Sequence, residues 1–302
     1  MNKQHISSNR HHVLDVLSYI LSKIEKKEPM SLLRLGDAEG RFLGYPEFVK
    51  KEGAGGDRLD FVLQLELGRT DFSCDELKAL SVQMRQAVIN ADIIGLPRVK
   101  QCEKDIAYRY VFEAIDRFGL LRSDVMRCDA AIHRYLQFGL FYQYLLQDKK
   151  FVGVITGRSE LGSIVKKIFK VEEVRSYLIP AEAIHPGELG GEHFPDRFYS
   201  LKQELVVPYQ GAVFLVGAGY LGKIYCQWIK QKGGIAIDIG SICDSWTSKG
   251  RLQHDYHKIK HYISHPNLTM KERIGRFNQA CDNFSMDTHR LIPEEWQGYQ
   301  TK

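Results

Sequence analysis

The chain has 302 residues, 44% of them hydrophobic and 26% charged, with 42 Lys and Arg against 37 Asp and Glu. Such a composition is that of an ordinary globular protein, and the length suits one large domain or one domain plus an appendage. A net charge of +5, spread along the chain rather than gathered in a block, argues against a nucleic-acid partner. It suits an anionic small molecule, or loose peripheral attraction to an anionic membrane surface on the cytoplasmic face. The six cysteines, at 74, 102, 128, 226, 243 and 281, include no C-x-x-C pair. No structural zinc site is expected, and free thiols in a reducing cytoplasm are. The polar start MNKQHISSNRHH does not read as a signal peptide, and no apolar run is long enough to cross a bilayer.

In chain order, apolar residues at 13, 14, 16, 17, 20, 21 and 24 give helical periodicity. Pro29 ends that region, and SLLRL at 31–35 reads as a short strand. In the plainer reading, a polar turn follows that caps a helix at 39–43. GAGGD at 53–57 reads as a loop. A helix is expected over 75–91 with Ser73 as its cap, then a buried strand DIIGL at 92–96, then helices at 105–118 and 130–146. The aromatic run FGLFYQYLL inside the last of these suits buried core better than a lipid contact. FVGVI at 151–155 is a strand, 160–169 a helix and 174–179 a strand. The segment 184–198 reads as a long loop carrying His185 and His193. AVFLV at 212–216, a helix at 220–232 and the strand GIAIDI at 234–239 complete the alternation. Strands alternating with helices predict an α/β, Rossmann-like fold with a mainly parallel sheet. The expected organisation is an N-terminal helix within 1–30, an α/β domain over 31–246 and a helical C-terminal extension over 247–302.

Three segments carry chemistry, each at the carboxyl end of a predicted strand, where open α/β sheets bind ligands. In the first, Arg34-Leu-Gly36-Asp37-Ala-Glu39, two carboxylates two residues apart reach one point if the turn is extended. A hard cation takes few protein carboxylates and completes its shell with phosphate oxygens. Arg34 would add charge-assisted bonds to phosphate, and Gly36 allows close backbone approach. The competing reading is a polar turn that caps a helix.

The second segment matches G-x-G-x-x-G at Gly217, Gly219 and Gly222, between a strand and a helix, with Asp238 ending the next strand. It predicts diphosphate binding at a helix N-terminus, with Lys223 adding positive charge. Close helix–strand packing is the alternative. The third segment, Asp238-Ile-Gly240-Ser241-Ile-Cys-Asp244-Ser-Trp246, offers Asp244 as a general base and Trp246 as a stacking platform, or else a cap and a core residue. Arg158, after the 151–155 strand, is expected to face the same cleft. His133 reads as structural, and the histidines at 254, 257, 261 and 265 as a solvated helix face.

SLLRLGDAEGRFLG resembles the R-x-G-D-G-E region of glycosyltransferases with the GT-D fold. Arg34, Gly36, Asp37 and Glu39 match it, and Ala38 departs where that family often has Gly. GGIAIDIGSICDSW resembles the family's D-I-G segment through Asp238 and Gly240, and VFLVGAGYLGKIYCQWIK resembles the glycine turn and helix before it. The resemblance spans 31–246, by layout alone over about 50–150. It implies a Rossmann-like fold, a UDP-sugar donor, Mn²⁺ or Mg²⁺ held by Asp37 and Glu39, and a role in bacterial surface polysaccharide or glycoconjugate assembly.

The expected enzyme moves a sugar from a nucleotide sugar to a glycan, glycoprotein or lipid-linked acceptor. The main rival is an NAD-dependent oxidoreductase using the glycine fingerprint. Only 64 residues after Asp238, with no further strand among them, count against it. A non-catalytic nucleotide sensor is a third class.

Overall fold

The computed structural model describes residues 10–52, 59–180, 189–249 and 254–284. The GAGGD loop and His185 lie outside the described residues. Seven strands form one sheet: β1 Met30–Arg34, β2 Ile93–Leu96, β3 Met126–Asp129, β4 Phe151–Thr156, β5 Glu173–Leu178, β6 Val213–Gly217 and β7 Ile235–Asp238. Their order across the sheet is β3-β2-β1-β7-β6-β4-β5, and all six pairings are parallel. The expected parallel α/β fold is therefore present. The last strand in sequence sits at the centre, between β1 and β6.

Alternate side chains along each strand feed opposite faces, as a two-residue period requires. Leu33, Ile155, Phe214, Val216 and Ala236 point to one core. Leu32, Val152, Val154, Leu215 and Ile237 point to the other. The first face is covered by α2 Asp37–Gly44, α3 Cys74–Ile89, α4 Ile106–Phe118 and α5 Gly222–Gln231. The second is covered by α1 Val13–Lys26, the segment around Tyr135 to Leu146, and α6 Met270–Asn283. Ser73 caps α3 as expected: its hydroxyl accepts from Glu76 N–H at 3.2 Å and Glu76 returns the bond to Ser73 N–H at 2.8 Å.

Three expectations are corrected. The helix expected at 130–146 is two helices, Ile132–Phe138 and Tyr142–Leu146, split where Leu140 takes φ +55°. Its aromatic residues Phe138, Phe141 and Tyr142 are buried in core. Strand β3 was not expected, because MRCD is short, half polar and at the sheet edge. The described part of the expected 184–198 loop has an extended Phe194, after which the chain turns into a helix at Phe198–Glu204. Among the described residues no helix is long and apolar enough to cross a membrane.

Candidate active site

The parallel register brings strand ends together. Thr156 lies opposite Gly217, and Val216 opposite Asp238, so the segments after β1, β4, β6 and β7 surround one cleft of about 240 Å³. Arg34, Asp37, Glu39, Arg158, Gly217, Gly219, Lys223, Gly240, Ser241 and Asp244 all line it. Gly36 lines an adjoining cleft, and Gly222 begins α5 behind the turn.

A chain of buried charges forms the floor. Lys223 Nζ stands 2.7 Å from Glu39 Oε1 and 3.0 Å from Asp238 Oδ2, and also donates to Gly219 O at 3.1 Å. Arg34 Nη2 donates to Asp238 Oδ1 at 3.0 Å, and the Arg34 backbone N–H reaches Oδ2 at 3.3 Å. The side chains of Lys223, Glu39 and Asp238 are only 4%, 9% and 3% exposed. Burial pushes the Asp238 carboxyl upward, but Arg34 and Lys223 outweigh it and hold it below the ordinary carboxylate range. Burial likewise pushes Lys223 down, and Asp238 and Glu39 carry it above its ordinary value. Such reciprocal shifts mark a paired buried cluster, in which removing one member exposes the desolvation cost of the others.

The two D-x-E carboxylates therefore differ in setting. They sit on the first turn of α2, not in an extended turn. Glu39 Oε2 accepts from the Gly36 N–H at 2.8 Å, closing the helix start, while Oε1 faces Lys223. Asp37 is 51% exposed in its side chain, with Arg41 Nη1 3.8 Å from its Oδ2. Partial burial and the neighbouring Glu39 push its carboxyl upward. Among the described residues no three His, Cys, Asp or Glu side chains cluster as a metal cage. Mg²⁺ and Mn²⁺ do not require one when phosphates complete the shell. Asp37 is open to the cleft and Glu39 keeps lone pairs beyond its two bonds, so the donor chemistry of each suits such an ion.

The glycine turn is less open than its pattern suggests. A Cβ at Gly217 would run into Cys243 Sγ, and Gly222 packs toward Val216, so these two glycines serve close packing. Gly219 has φ +54°, and the next residue, Tyr220, donates its N–H to Glu66 Oε2 at 3.2 Å. An internal carboxylate thus already sits on the turn. Asp238, buried between Arg34 and Lys223, does not present itself to a ribose.

Across the cleft, Arg158 Nε donates to Asp244 Oδ1 at 2.8 Å. Trp246 is not a stacking platform: it is buried, edge-on to Tyr142, and its indole N–H donates to Gln137 Oε1 at 2.9 Å. His133 is buried against Arg34, 3.1 Å from Nη1 to the nearer ring nitrogen. Burial, then the Arg34 charge, pulls its pKa well down, so a neutral ring accepts from the guanidinium. Its contact with Arg34 was invisible to sequence reading, because it depends on β3 being a strand. His193 also lines the cleft and bonds the Tyr225 hydroxyl at 2.7 Å.

A family described as a GT-D fold-like domain matches residues 11–177. The chain belongs to this GT-D-like family, which places it among the glycosyltransferases. Its fold is similar to that of a solved glycosyltransferase of the DUF1792 type from Streptococcus sanguinis, at 16% identity and a TM-score of 0.53, over 82% of this chain and 91% of that one. A solved domain of unknown function 1792 is similar at 13% identity and a TM-score of 0.50, over 81% and 82%. No curated protein sequence matches the chain.

Proposed function

We propose that the chain transfers a sugar from a nucleotide sugar of the UDP type to a glycan or glycoconjugate acceptor, with a divalent cation at Asp37 and Glu39. The observation that carries this reading is the D-x-E pair on the first turn of α2, lining one cleft with the glycine turn and Asp244. Mn²⁺ or Mg²⁺ bound there would supply positive charge against the diphosphate leaving group. The chain's own residues supply the rest. Arg34, fixed by Asp238 and His133, keeps a guanidinium at the cleft floor. Asp244, oriented by Arg158, takes the proton from the acceptor hydroxyl as general base. Ile179 and Pro180 form an apolar wall.

The dinucleotide oxidoreductase is the weaker reading, because Asp238 is committed to two internal cations. The test is calorimetric titration of UDP with and without Mn²⁺, on the wild type and on D37A. Tighter binding with the ion, abolished by D37A, supports the reading. Equal binding in all arms overturns it.

A further inference from the structure

A second cleft of about 240 Å³ opens on the other side of Asp37, over the ends of β1, β2 and β3. It shares Arg34, Asp37, Glu39, Lys223 and Ser241 with the first, and adds Arg98, Gln101, Tyr108, His133 and Arg134. The two clefts differ in how their cations are used. In the first, Lys223 faces Glu39 and Asp238, Arg158 is on Asp244, and the Tyr220 N–H is on Glu66. In the second, the Nε atoms of Arg98 and Arg134 are shielded from water and have no hydrogen-bond partner. The carboxylate nearest Arg98, Asp129, stands 3.8 Å away and is shared with Arg10 at the same distance. The strongest charges on Arg134 come from Arg34 and Arg98, both of its own sign.

Two guanidinium Nε–H groups shielded from water without an acceptor are costly unless a ligand supplies one. Guanidinium matches the paired oxygens of phosphate in fork geometry. The hydroxyl of Tyr108, on the same wall, offers a further donor. We propose that this arginine cleft is a phosphate-binding subsite built from Arg98 and Arg134, separated from the glycine-turn cleft by Asp37 and Glu39. The phosphate belongs either to the nucleotide diphosphate of the donor or to a phosphorylated acceptor. Only that choice of source rests on the transferase reading.

The experiment is calorimetric titration of the full chain with inorganic pyrophosphate at low ionic strength and without metal. R134Q and R98Q are each expected to weaken binding about tenfold or more, the scale of a lost charge-assisted contact. R158Q, in the other cleft, is expected to leave it unchanged. Arg98, at 41% side-chain exposure, guards the test if R134Q fails to fold. If UDP displaces pyrophosphate, the subsite takes the donor diphosphate; if both bind together, it takes a phosphorylated acceptor, and either result supports the proposal. Absence of pyrophosphate binding to the wild type, equal affinity in both arginine variants, or loss of binding in R158Q overturns it. Failure of the transferase reading would look different: pyrophosphate binding intact, with no turnover of any nucleotide sugar.

Discussion

Lys223 Nζ bridges Glu39 Oε1 and Asp238 Oδ2 at 2.7 and 3.0 Å, so one ammonium joins the helix after β1 to the end of β7. Its consequence is energetic before it is catalytic. In K223M both carboxylates keep their burial and lose the ammonium between them, leaving Arg34 alone to balance Asp238. Breaking a buried pair by removing one partner costs about 3–5 kcal/mol, and urea unfolding should read a loss of that size. A K223M protein as stable as the wild type would show that the ammonium is not what balances Glu39 and Asp238.

Trp246 yields an opposite signature. W246F shrinks a buried ring and strands the Gln137 oxygen that accepts from the indole. The combined cavity and unmet acceptor should cost about 2–4 kcal/mol. Donor affinity should stay at the wild-type value, because the ring faces Tyr142, Phe169 and Tyr262 rather than the cleft. Weaker UDP binding at temperatures where the variant is fully folded would restore the stacking role.

Trp246 also illustrates what was legible in the sequence. Periodicity and glycine punctuation revealed six of the seven strands; β2, β4, β6 and β7 are mainly apolar and almost wholly buried runs bounded by turn chemistry. The D-x-E segment, the glycine turn and Asp244 were found as local patterns, and the parallel register brings them to one cleft. Which charges pair was not legible. Arg34 with Asp238 spans 204 residues, and Arg158 with Asp244 spans 86. Nor could a pattern of glycines reveal that Glu66, 154 residues before Tyr220 counted along the chain, reaches the turn. The second cleft depended on β3, whose mixed composition hides it from periodicity.

Acid should weaken the fold through histidines buried in neutral form. Burial, with Arg197 adding, pulls His193 down to about 3. Burial, then Arg134, His254 and Lys258, pulls His257 down to about 4. Burial also lowers His133. The unfolded chain takes up these protons near pH 6.5 and the folded one does not. Stability is therefore fully present above that pH and declines as pH falls toward the folded values, each ring contributing up to ~1.4 kcal/mol per pH unit. Urea unfolding at pH 7, 6 and 5 should show the decline, and H193Q should flatten it by one histidine's share. An unchanged slope in H193Q would count against a neutral buried His193.

Gly240 is where the backbone serves Arg34. It takes φ +46°, and an added Cβ would collide with Arg34 Nη2. In G240A the strain of that conformation and the displaced guanidinium together should cost about 1–3 kcal/mol. Arg34 would move off Asp238, so metal-dependent hydrolysis of a nucleotide sugar should fall even below the melting range. A G240A protein that melts and turns over like the wild type would mean that the loop adjusts without moving Arg34.

Asp244 separates binding from chemistry. Its carboxylate is held by Arg158 in the wall of the first cleft, on the helix that follows β7. D244N preserves size and a hydrogen-bonding oxygen but cannot accept a proton from the acceptor hydroxyl. A positioned general base contributes roughly 10²–10⁴-fold in rate, so acceptor-dependent kcat should fall by that range. The KM for the donor should hardly move, because the donor phosphates are assigned to the other groups. Binding of UDP with Mn²⁺ should likewise match the wild type. If D244N instead weakens UDP binding and leaves kcat intact, Asp244 belongs to the donor site and the base must be sought elsewhere in the cleft.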